Sequence, residues 1–270
     1  MKFRRLQQRM LGLSILLPGL GSVVQAQQSE SAEELAKKLS NPVASLISVP
    51  FQYNHDSRFG AARDGHRSLL NIQPVVPVSI SADWNLVSRT ILPVVDESRP
   101  GLDASGMGDI TQSFFFSPKA PTAGGLVWGV GPAFLLPTGS SASLSARQWG
   151  AGPTAVLLKQ DGPWAFGALG NHVWGAGGGG HQPSVSSTFL QPFLSYTTRS
   201  ATSFALNSES SYDWKKWQWA VPVNAMVTQV VKLGGQTLSV GGGVRYWATG
   251  PEGGPHGWGF RAQLTFLFPK

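Results

Sequence analysis

Long segments of this sequence alternate between apolar and polar residues, and this alternation constrains the fold more than any other feature. In the closing segment FRAQLTF, the apolar residues hold the even positions and Arg261, Gln263 and Thr265 hold the odd ones. Because successive side chains of a β-strand point to opposite sides, such a segment has one apolar and one polar face. The same pattern recurs at 202–212 and 238–248. We therefore predict an all-β protein made of two-faced strands.

The length of these segments indicates which solvent meets the apolar face. The alternation predicts about twelve strands, near 44–55, 66–75, 78–95, 108–117, 123–136, 147–158, 163–174, 187–197, 201–212, 217–231, 236–248 and 257–268. Many exceed the usual five or six residues of soluble sheets and match the 9 to 11 tilted residues that cross a bilayer. Long connections such as DESRPGLDASGMG alternate with short ones around PVVP and KQDG, as in outer-membrane barrels. The predicted fold is a transmembrane antiparallel up-and-down β-barrel over residues 44–270.

Composition agrees with a β-protein whose surface is only partly exposed to water. Charged residues make up 13% of the chain, below the roughly 25% of soluble domains, and there are 33 glycines and 19 prolines. The mean hydropathy of -0.04 is too low for a bundle of membrane helices. The chain has no cysteine, which excludes a disulfide framework, a thiol nucleophile and a thiolate metal site.

The N-terminus has the layout of a cleaved secretory signal over residues 1–26. Four basic residues precede the apolar run MLGLSILLPGL, and small residues end at Ala26. Cleavage leaves 17 basic against 14 acidic residues, a net charge of about +3, so the pI of 9.9 does not indicate nucleic-acid binding. We expect export to the bacterial outer membrane, with its lipid as a partner and no nucleic acid.

One short helix is predicted in residues 27–43. Ser31 and Glu34 have the spacing of a capping box, and Asn41 followed by Pro42 ends the helical pattern. Two roles are open for this periplasmic segment. It is a tether on the inner side of the membrane, or it is a plug in the mouth of the barrel.

The polar faces of the predicted strands identify candidate lumen residues. Polar groups facing lipid would each cost a few kcal/mol near the midplane, so they must point toward the barrel axis. The candidates are Gln52, Asn54, Asn71, Gln73, Asn85, Arg89, Asp109, Asn207, Glu209, Arg245, Arg261 and Gln263. They form either a self-satisfied network that fills a closed interior or the lining of a conducting pore. For a pore, Arg89, Arg245 and Arg261 are the expected determinants of ion selectivity.

Aromatic residues and prolines add two further expectations. Trp164 and Trp174 lie at opposite ends of one predicted strand, which predicts two aromatic girdles at the membrane interfaces. Prolines inside strands cannot donate to the ladder, so we expect β-bulges there. These prolines are Pro50, Pro74, Pro132, Pro153, Pro192 and Pro222.

Enzyme chemistry has little support in the residues. His55 and Ser57 are close in sequence near a strand end, but no nucleophile motif surrounds them. The other histidines are scattered, and GAGGGGH lacks the Lys-Ser or Lys-Thr pair of a phosphate loop. We therefore expect a protein that is not an enzyme and that holds no catalytic residues, metal or cofactor.

Taken together, these segments resemble the family of outer-membrane transporters named after the meta-cleavage pathway of phenol degradation. The resemblance rests on NPVASLISVPFQYN, LNIQPVVPVSI, DWNLVSRTILPVV, GMGDITQSFFFSPK, WGVGPAFLLPT, WGAGPTAVLLKQDGPW, TFLQPFLSYTT, RYWA and GWGFRAQLTFLFPK. It implies an outer-membrane β-barrel with a transport role and names no solute. The closing strand also resembles the signal read by the barrel-assembly machinery, which implies that machinery as a partner. That signal usually ends on an aromatic residue, whereas Pro269 and Lys270 follow Phe268 here.

The favoured hypothesis is a monomeric barrel that passes small, apolar or aromatic molecules passively. The first alternative is a closed structural or adhesive barrel whose loops bind partners. The second is an outer-membrane lipid-modifying enzyme, which would need a serine, a histidine and an orienting amide on neighbouring strands.

Overall fold

The computed structural model describes residues 30–60, 62–175 and 184–269. It contains one helix, α1 (Ala32–Leu39), and fifteen strands. The strands are β1 (Ile47–Phe59), β2 (Gly65–Ile72), β3 (Val75–Ser79), β4 (Trp84–Arg99), β5 (Leu102–Met107), β6 (Ile110–Pro118), β7 (Leu126–Leu136), β8 (Gly150–Asp161), β9 (Trp164–Gly175), β10 (Ser186–Thr197), β11 (Thr202–Ser208), β12 (Ser210–Asp213), β13 (Gln218–Leu233), β14 (Gln236–Thr249) and β15 (Gly257–Phe268). The predicted signal at 1–26, part of the GAGGGGHQPSVS connection and Lys270 lie outside the described residues.

The strands form a closed antiparallel barrel of twelve staves. Each stave pairs with its neighbours in sequence, and β15 pairs with β1 from Ile47↔Phe268 to Asp56↔Gly259, which closes the sheet. Three staves are interrupted, so that β2 with β3, β5 with β6, and β11 with β12 each act as one stave. The prediction of an up-and-down barrel of about twelve strands with a short helix is therefore confirmed.

Two connections differ from the sequence prediction. PVVP, predicted as a turn, continues the second stave as β3, and the turn lies at 80–83, where the Ser81 hydroxyl accepts hydrogen bonds from the backbone of Asp83 and Trp84. The predicted long loop DESRPGLDASGMG is a hairpin, since β4 and β5 continue beyond their neighbours and turn at Pro100–Gly101. Pro100 and Gly101 indicated a long loop, whereas they form only the two-residue turn of this hairpin.

The expected bulges are present at one of the six prolines. The register shifts between Val221 and Pro222, whereas Pro50 and Pro192 lie in regular register. Pro132 and Pro153 face each other in the β7–β8 ladder, and the rungs beside them on β6 and β9 are missing. Pro74 separates β2 from β3. A proline lacks only its own N–H, so the sheet loses at most one backbone hydrogen bond there. It needs no extra residue in the strand, which is what a bulge would insert.

The exterior is an apolar belt between two rings of aromatic side chains. Trp84 and Trp128 pack edge to face at the end that carries the short turns, and Tyr246 and Trp258 pack at a tilt at the end that carries the longer loops. Trp164 and Trp174 lie ten residues apart on β9. At about 3.3 Å per residue and a tilt of about 40°, this spacing is about 25 Å along the barrel axis, the height of an outer-membrane apolar band. The two predicted girdles are therefore present.

The N-terminal segment packs into the barrel at the short-turn end. Its helix begins with the predicted capping box, in which Glu34 N donates to Ser31 Oγ (3.2 Å) and Ser31 N donates to Glu34 Oε2 (2.9 Å). Leu35 and Ala36 are buried against Val230 and other apolar residues of the wall. Within the described part of the chain, no helix combines the length and the apolarity needed to cross a bilayer.

Candidate functional site

The inward faces of neighbouring strands bring polar side chains together in the lumen. In an antiparallel sheet, residues directly opposite each other point to the same side. Asn54 of β1 lies opposite Arg261 of β15, and Arg261 lies opposite Gly243 of β14. Asn54 is fully buried and Arg261 is 2% exposed, while Phe260 beside it is 48% exposed. Alternation along the strand therefore points Arg261 to the interior and Phe260 to the outside.

A bidentate ion pair forms the centre of this interior. Arg261 Nη1 and Nη2 donate to Glu209 Oε1 (2.8 Å) and Oε2 (2.6 Å), and its Nε donates to Asn54 Oδ1 (2.7 Å). Glu209 lies at the interruption between β11 and β12, beside Pro222 of the next strand. This geometry uses most of the guanidinium fork, so Arg261 and Glu209 hold each other rigidly across the intervening β13 and β14.

A second ion pair crosses one strand of the wall. Arg245 Nε lies 3.1 Å from Asp56 Oδ1, and Trp247 Nε1 donates to the same oxygen at 2.7 Å. The strand between them contributes Gly259, which lies opposite both Asp56 and Arg245. A Cβ at Gly259 would come within 2.9 Å of Asp56 Oδ1. The missing side chain at Gly259 therefore leaves the room in which Arg245 reaches Asp56.

The two pairs are joined into one charged cluster with an excess of positive charge. Arg245 Nη1 donates to Asn54 Oδ1 (3.0 Å) and lies 3.7 Å from Glu209 Oε2. Arg67 lies 3.4 Å from Asp56. We define the charged cluster as Asp56, Arg67, Glu209, Arg245 and Arg261, in which three guanidinium groups face two carboxylates. The charged cluster therefore carries one more positive than negative charge.

The other predicted lumen residues lie around this cluster on inward-facing positions. Gln52, Asn71 and Gln263 lie in one row across β1, β2 and β15. Arg89 donates to Gln73, and Asn207 accepts from Asn224. Asn85 donates to Ser45 of the N-terminal segment. Asp109 instead accepts from the backbone of Gly139 and Ala146, so it fastens the loop between β7 and β8.

Sequence reasoning missed several members of this interior. Asp56 and Arg67 belong to the charged cluster, and Asp56 could have been found because it follows Asn54 by two residues on the same face. Trp247 could not, because an aromatic residue near a strand end is normally assigned to the lipid-facing girdle. Trp247 is 6% exposed, and its N–H bonds Asp56.

The opposite side of the lumen is apolar. Phe115, Leu158 and Leu169 project from β6, β8 and β9 and are fully buried. Val43, from the link between α1 and β1, packs among them. The lumen therefore has a charged arc centred on β1 and β15 and an apolar arc across β6 to β9.

The N-terminal plug, residues 30–46, closes the space beneath the charged cluster. Two hydrogen bonds, called the latches below, join it to the wall. Asn85 Nδ2 donates to Ser45 Oγ (2.8 Å), and Gln160 Nε2 donates to Lys37 O (3.0 Å). The bonds of the capping box hold the pKa of the Glu34 carboxyl below its ordinary value. A cavity of about 240 Å³ remains between the plug and the charged cluster.

A histidine and a serine meet on the outer face of the barrel. His55 Nδ1 lies 3.2 Å from Ser68 Oγ, and its ring packs on Phe260, which is exposed to the outside. Ser57, the serine suggested by the sequence, instead bonds the backbone oxygen of Trp258 at 3.3 Å. In the described residues, no group of three or more histidine, aspartate or glutamate side chains is placed to hold a metal ion.

Comparison with known proteins places this fold among outer-membrane barrels. No protein-family model and no curated protein matches the chain. The crystal structure of an outer membrane channel from Pseudomonas putida F1 is similar, with a TM-score of 0.64 and 15% identity over 83% of this chain and 96% of that one. The NanC porin (TM-score 0.49, 14% identity, 83% and 100% coverage) and outer membrane phospholipase A from Escherichia coli (0.47, 9%, 90% and 99%) are less similar. At these identities the likeness concerns the fold alone, and this chain shares the barrel fold of the Pseudomonas protein.

Proposed function

We propose that this chain is a bacterial outer-membrane channel for small solutes, exported through a cleaved signal at residues 1–26. The observation that carries the proposal is the arrangement of its surfaces. An apolar exterior between two aromatic rings surrounds an interior with charged groups and a cavity. Hydrocarbon outside and polar contacts inside are what a membrane barrel requires.

The similarity in fold to the Pseudomonas channel and the segments quoted above support membership of the phenol-pathway transporter family. Insertion by the barrel-assembly machinery through β15 belongs to the same proposal. The apolar arc of the lumen favours small apolar or aromatic solutes. The lumen arginines Arg89, Arg245 and Arg261 set the preference among ions, since fixed charges act strongly in a narrow passage.

In this proposal the plug controls the passage. It occupies the short-turn mouth through the burial of Leu35 and Ala36, and its latches to Asn85 and Gln160 are single hydrogen bonds. Each such bond contributes about 0.5–1.5 kcal/mol to holding the plug in place. Removing the latches should therefore make the plug only modestly easier to displace.

Single-channel recording on the refolded mature protein tests the proposal. We expect discrete conductance steps in KCl, and longer open times when Asn85→Ala and Gln160→Ala remove both latches. Because the chain has no cysteine, Ser45→Cys and Asn85→Cys joined by a short reversible thiol cross-linker should lock the plug, and reduction should restore the openings. Each single-cysteine variant treated with the same reagent is the control. Correctly folded protein that shows no conductance with either the latched or the unlatched plug would refute a channel.

A lipid-modifying activity is the second candidate, because the His55 and Ser68 pair lies within hydrogen-bonding distance on the lipid-facing side. We expect no hydrolysis of phospholipid vesicles by the folded protein. Hydrolysis that disappears in both His55→Ala and Ser68→Ala, and persists in Ser57→Ala, would instead establish the enzyme.

A further inference from the structure

The cavity between the plug and the charged cluster has two chemically different walls. Gln52, Gln73 and Arg89 line it from β1, the second stave and β4, and Leu169 and Phe193 line it from β9 and β10. In a ring of twelve staves, the first lies opposite the seventh, so Gln52 on β1 faces Leu169 on β9 across the lumen. An occupant therefore meets hydrogen-bond donors at one end and, at the other, the apolar surfaces of Leu169 and Phe193 with the polar Gln191 and Ser195 of β10 beside them.

Arg89 is the arginine of this interior that has no carboxylate partner. Its Nη2 donates to Gln73 Oε1 at 3.1 Å, and among the described residues no carboxylate lies within ion-pairing distance of it. In contrast, each of the three cluster arginines pairs with a carboxylate: Arg67 and Arg245 with Asp56, and Arg261 with Glu209. A guanidinium in a narrow interior is costly without a counter-charge. Arg89 therefore presents N–H groups to the cavity that no carboxylate contacts directly, and the charge of Glu209 acts on it only at longer range.

Gln52 provides a second free donor beside it. The residue is 7% exposed, lines the cavity, and its Nε2 has no hydrogen-bond partner. The Nε2 atom is itself buried, so the Gln52 amide must turn toward the cavity before a ligand oxygen can recover the roughly 1–3 kcal/mol that an unpaired buried donor costs. The carboxylate of Glu209 also borders the cavity, but Arg261 binds both of its oxygens. Lys38 borders it from the plug and pairs with Glu30.

We propose that this cavity binds a small monocarboxylate with an apolar body. Arg89 and Gln52 hold the carboxylate, as planar guanidinium and amide donors suit its oxygens, and the apolar body lies against Leu169 and Phe193. At about 240 Å³, the cavity equals the liquid volume of about eight water molecules, which suits a single ring or a short chain. The assignment rests on the proposed channel function and names the class of solute that pauses at this site.

Benzoate is the probe, and benzamide is the neutral molecule of nearly equal shape. Isothermal titration of the complete folded protein in detergent should show saturable binding of benzoate and at least about tenfold weaker binding of benzamide, since the charge contributes most of the recognition. Arg89→Gln should weaken benzoate by about tenfold or more and leave benzamide unchanged. Arg199→Gln, at an exposed turn, is the matched control and should bind benzoate as the parent does.

Gln52→Leu separates a binding role from a structural one. Removing an unpaired buried amide should raise the midpoint of urea unfolding, while benzoate binding weakens. Equal affinity for benzoate and benzamide, unchanged benzoate affinity in Arg89→Gln, or no binding would overturn the proposal. KCl conductance of the same preparations keeps the two proposals apart. Conductance without benzoate binding overturns the site alone, and benzoate binding without conductance overturns the channel alone.

Discussion

The ion pair between Arg261 and Glu209 gives the sharpest prediction for stability. Glu209→Gln keeps the shape of the side chain and removes its charge. One of the two bonds to Arg261, at 2.8 and 2.6 Å, is then replaced by an amide N–H pointing at a guanidinium N–H. Arg245, 3.7 Å from Glu209, also loses a counter-charge. The variant should therefore leave the three guanidinium groups of the charged cluster facing one carboxylate, that of Asp56.

The expected loss in the free energy of unfolding is about 3 kcal/mol. Hydrogen bonds to charged groups contribute about 1.5–3 kcal/mol each, and removal of one partner from a buried ion pair costs about 3–5 kcal/mol. The Glu209 side chain is 18% exposed, so solvent screening favours the lower end. Urea unfolding of the barrel in lipid vesicles, followed by tryptophan fluorescence, measures this difference.

Glu97→Gln is the matched control. Glu97 pairs with Arg99 at 2.7 Å near the loops. The Glu97 side chain is 13% exposed, but the Arg99 side chain is 35% exposed, against 1% for Arg261, and stays solvated when the charge of Glu97 is removed, so this change should cost less than about 1 kcal/mol. Adding Arg261→Met to Glu209→Gln should restore most of the stability, because removing both charges leaves no guanidinium without a partner. A Glu209→Gln barrel that unfolds within about 0.5 kcal/mol of the parent would refute the reasoning.

Three further perturbations test other parts of the structure. A Cβ added by Gly259→Ala would come 2.5 Å from a backbone carbonyl oxygen, so we expect a loss of about 1–3 kcal/mol in urea unfolding, whereas Gly235→Ala, in open space, should be neutral. Because the folded-state pKa of Glu34 is lowered, its contribution to the helix cap is fully present above the unfolded pKa of about 4.3 and is lost as the pH falls through the folded pKa. Because only the thiolate reacts, the labelling rate of Leu35→Cys is divided by that of free cysteine at the same pH, and this ratio should rise in acid. Adding Glu34→Gln should remove that pH dependence, and an equal ratio at all pH values would exclude the linkage. Val227→Arg, on the outer face near the middle of β13, should cost about 2–4 kcal/mol in vesicles, and Val227→Leu should cost little. A tolerated arginine at that position would mean that hydrocarbon does not surround it.

The faces of the strands could be predicted from the sequence because each face meets one environment. Phe260 and Arg261 were assigned to opposite sides from alternation alone, and the structure places them there. Turns were harder. PVVP contains two prolines and lacks polar residues, yet its last three residues belong to β3. Pro77 lies in register opposite Val87, because a proline removes only the hydrogen bond that its own N–H would donate.

The partners within the lumen could not be predicted, because they depend on which strands a side chain can reach. Arg245 pairs with Asp56, two strands away, only because Gly259 stands between them. The position of the plug depends likewise on the shape of the finished interior. Leu35 and Ala36 read as the apolar face of an ordinary helix, and nothing local identifies Val230 as their contact.

The link between the plug and β1 limits how far a released plug can move. Residues 40–46 join α1 to β1, and seven residues span at most about 25 Å when extended. A released helix thus stays within about 25 Å of the first residue of β1, at an effective local concentration on the order of millimolar. Re-entry is then a first-order event of the single molecule, so closure neither awaits a second protein nor slows on dilution.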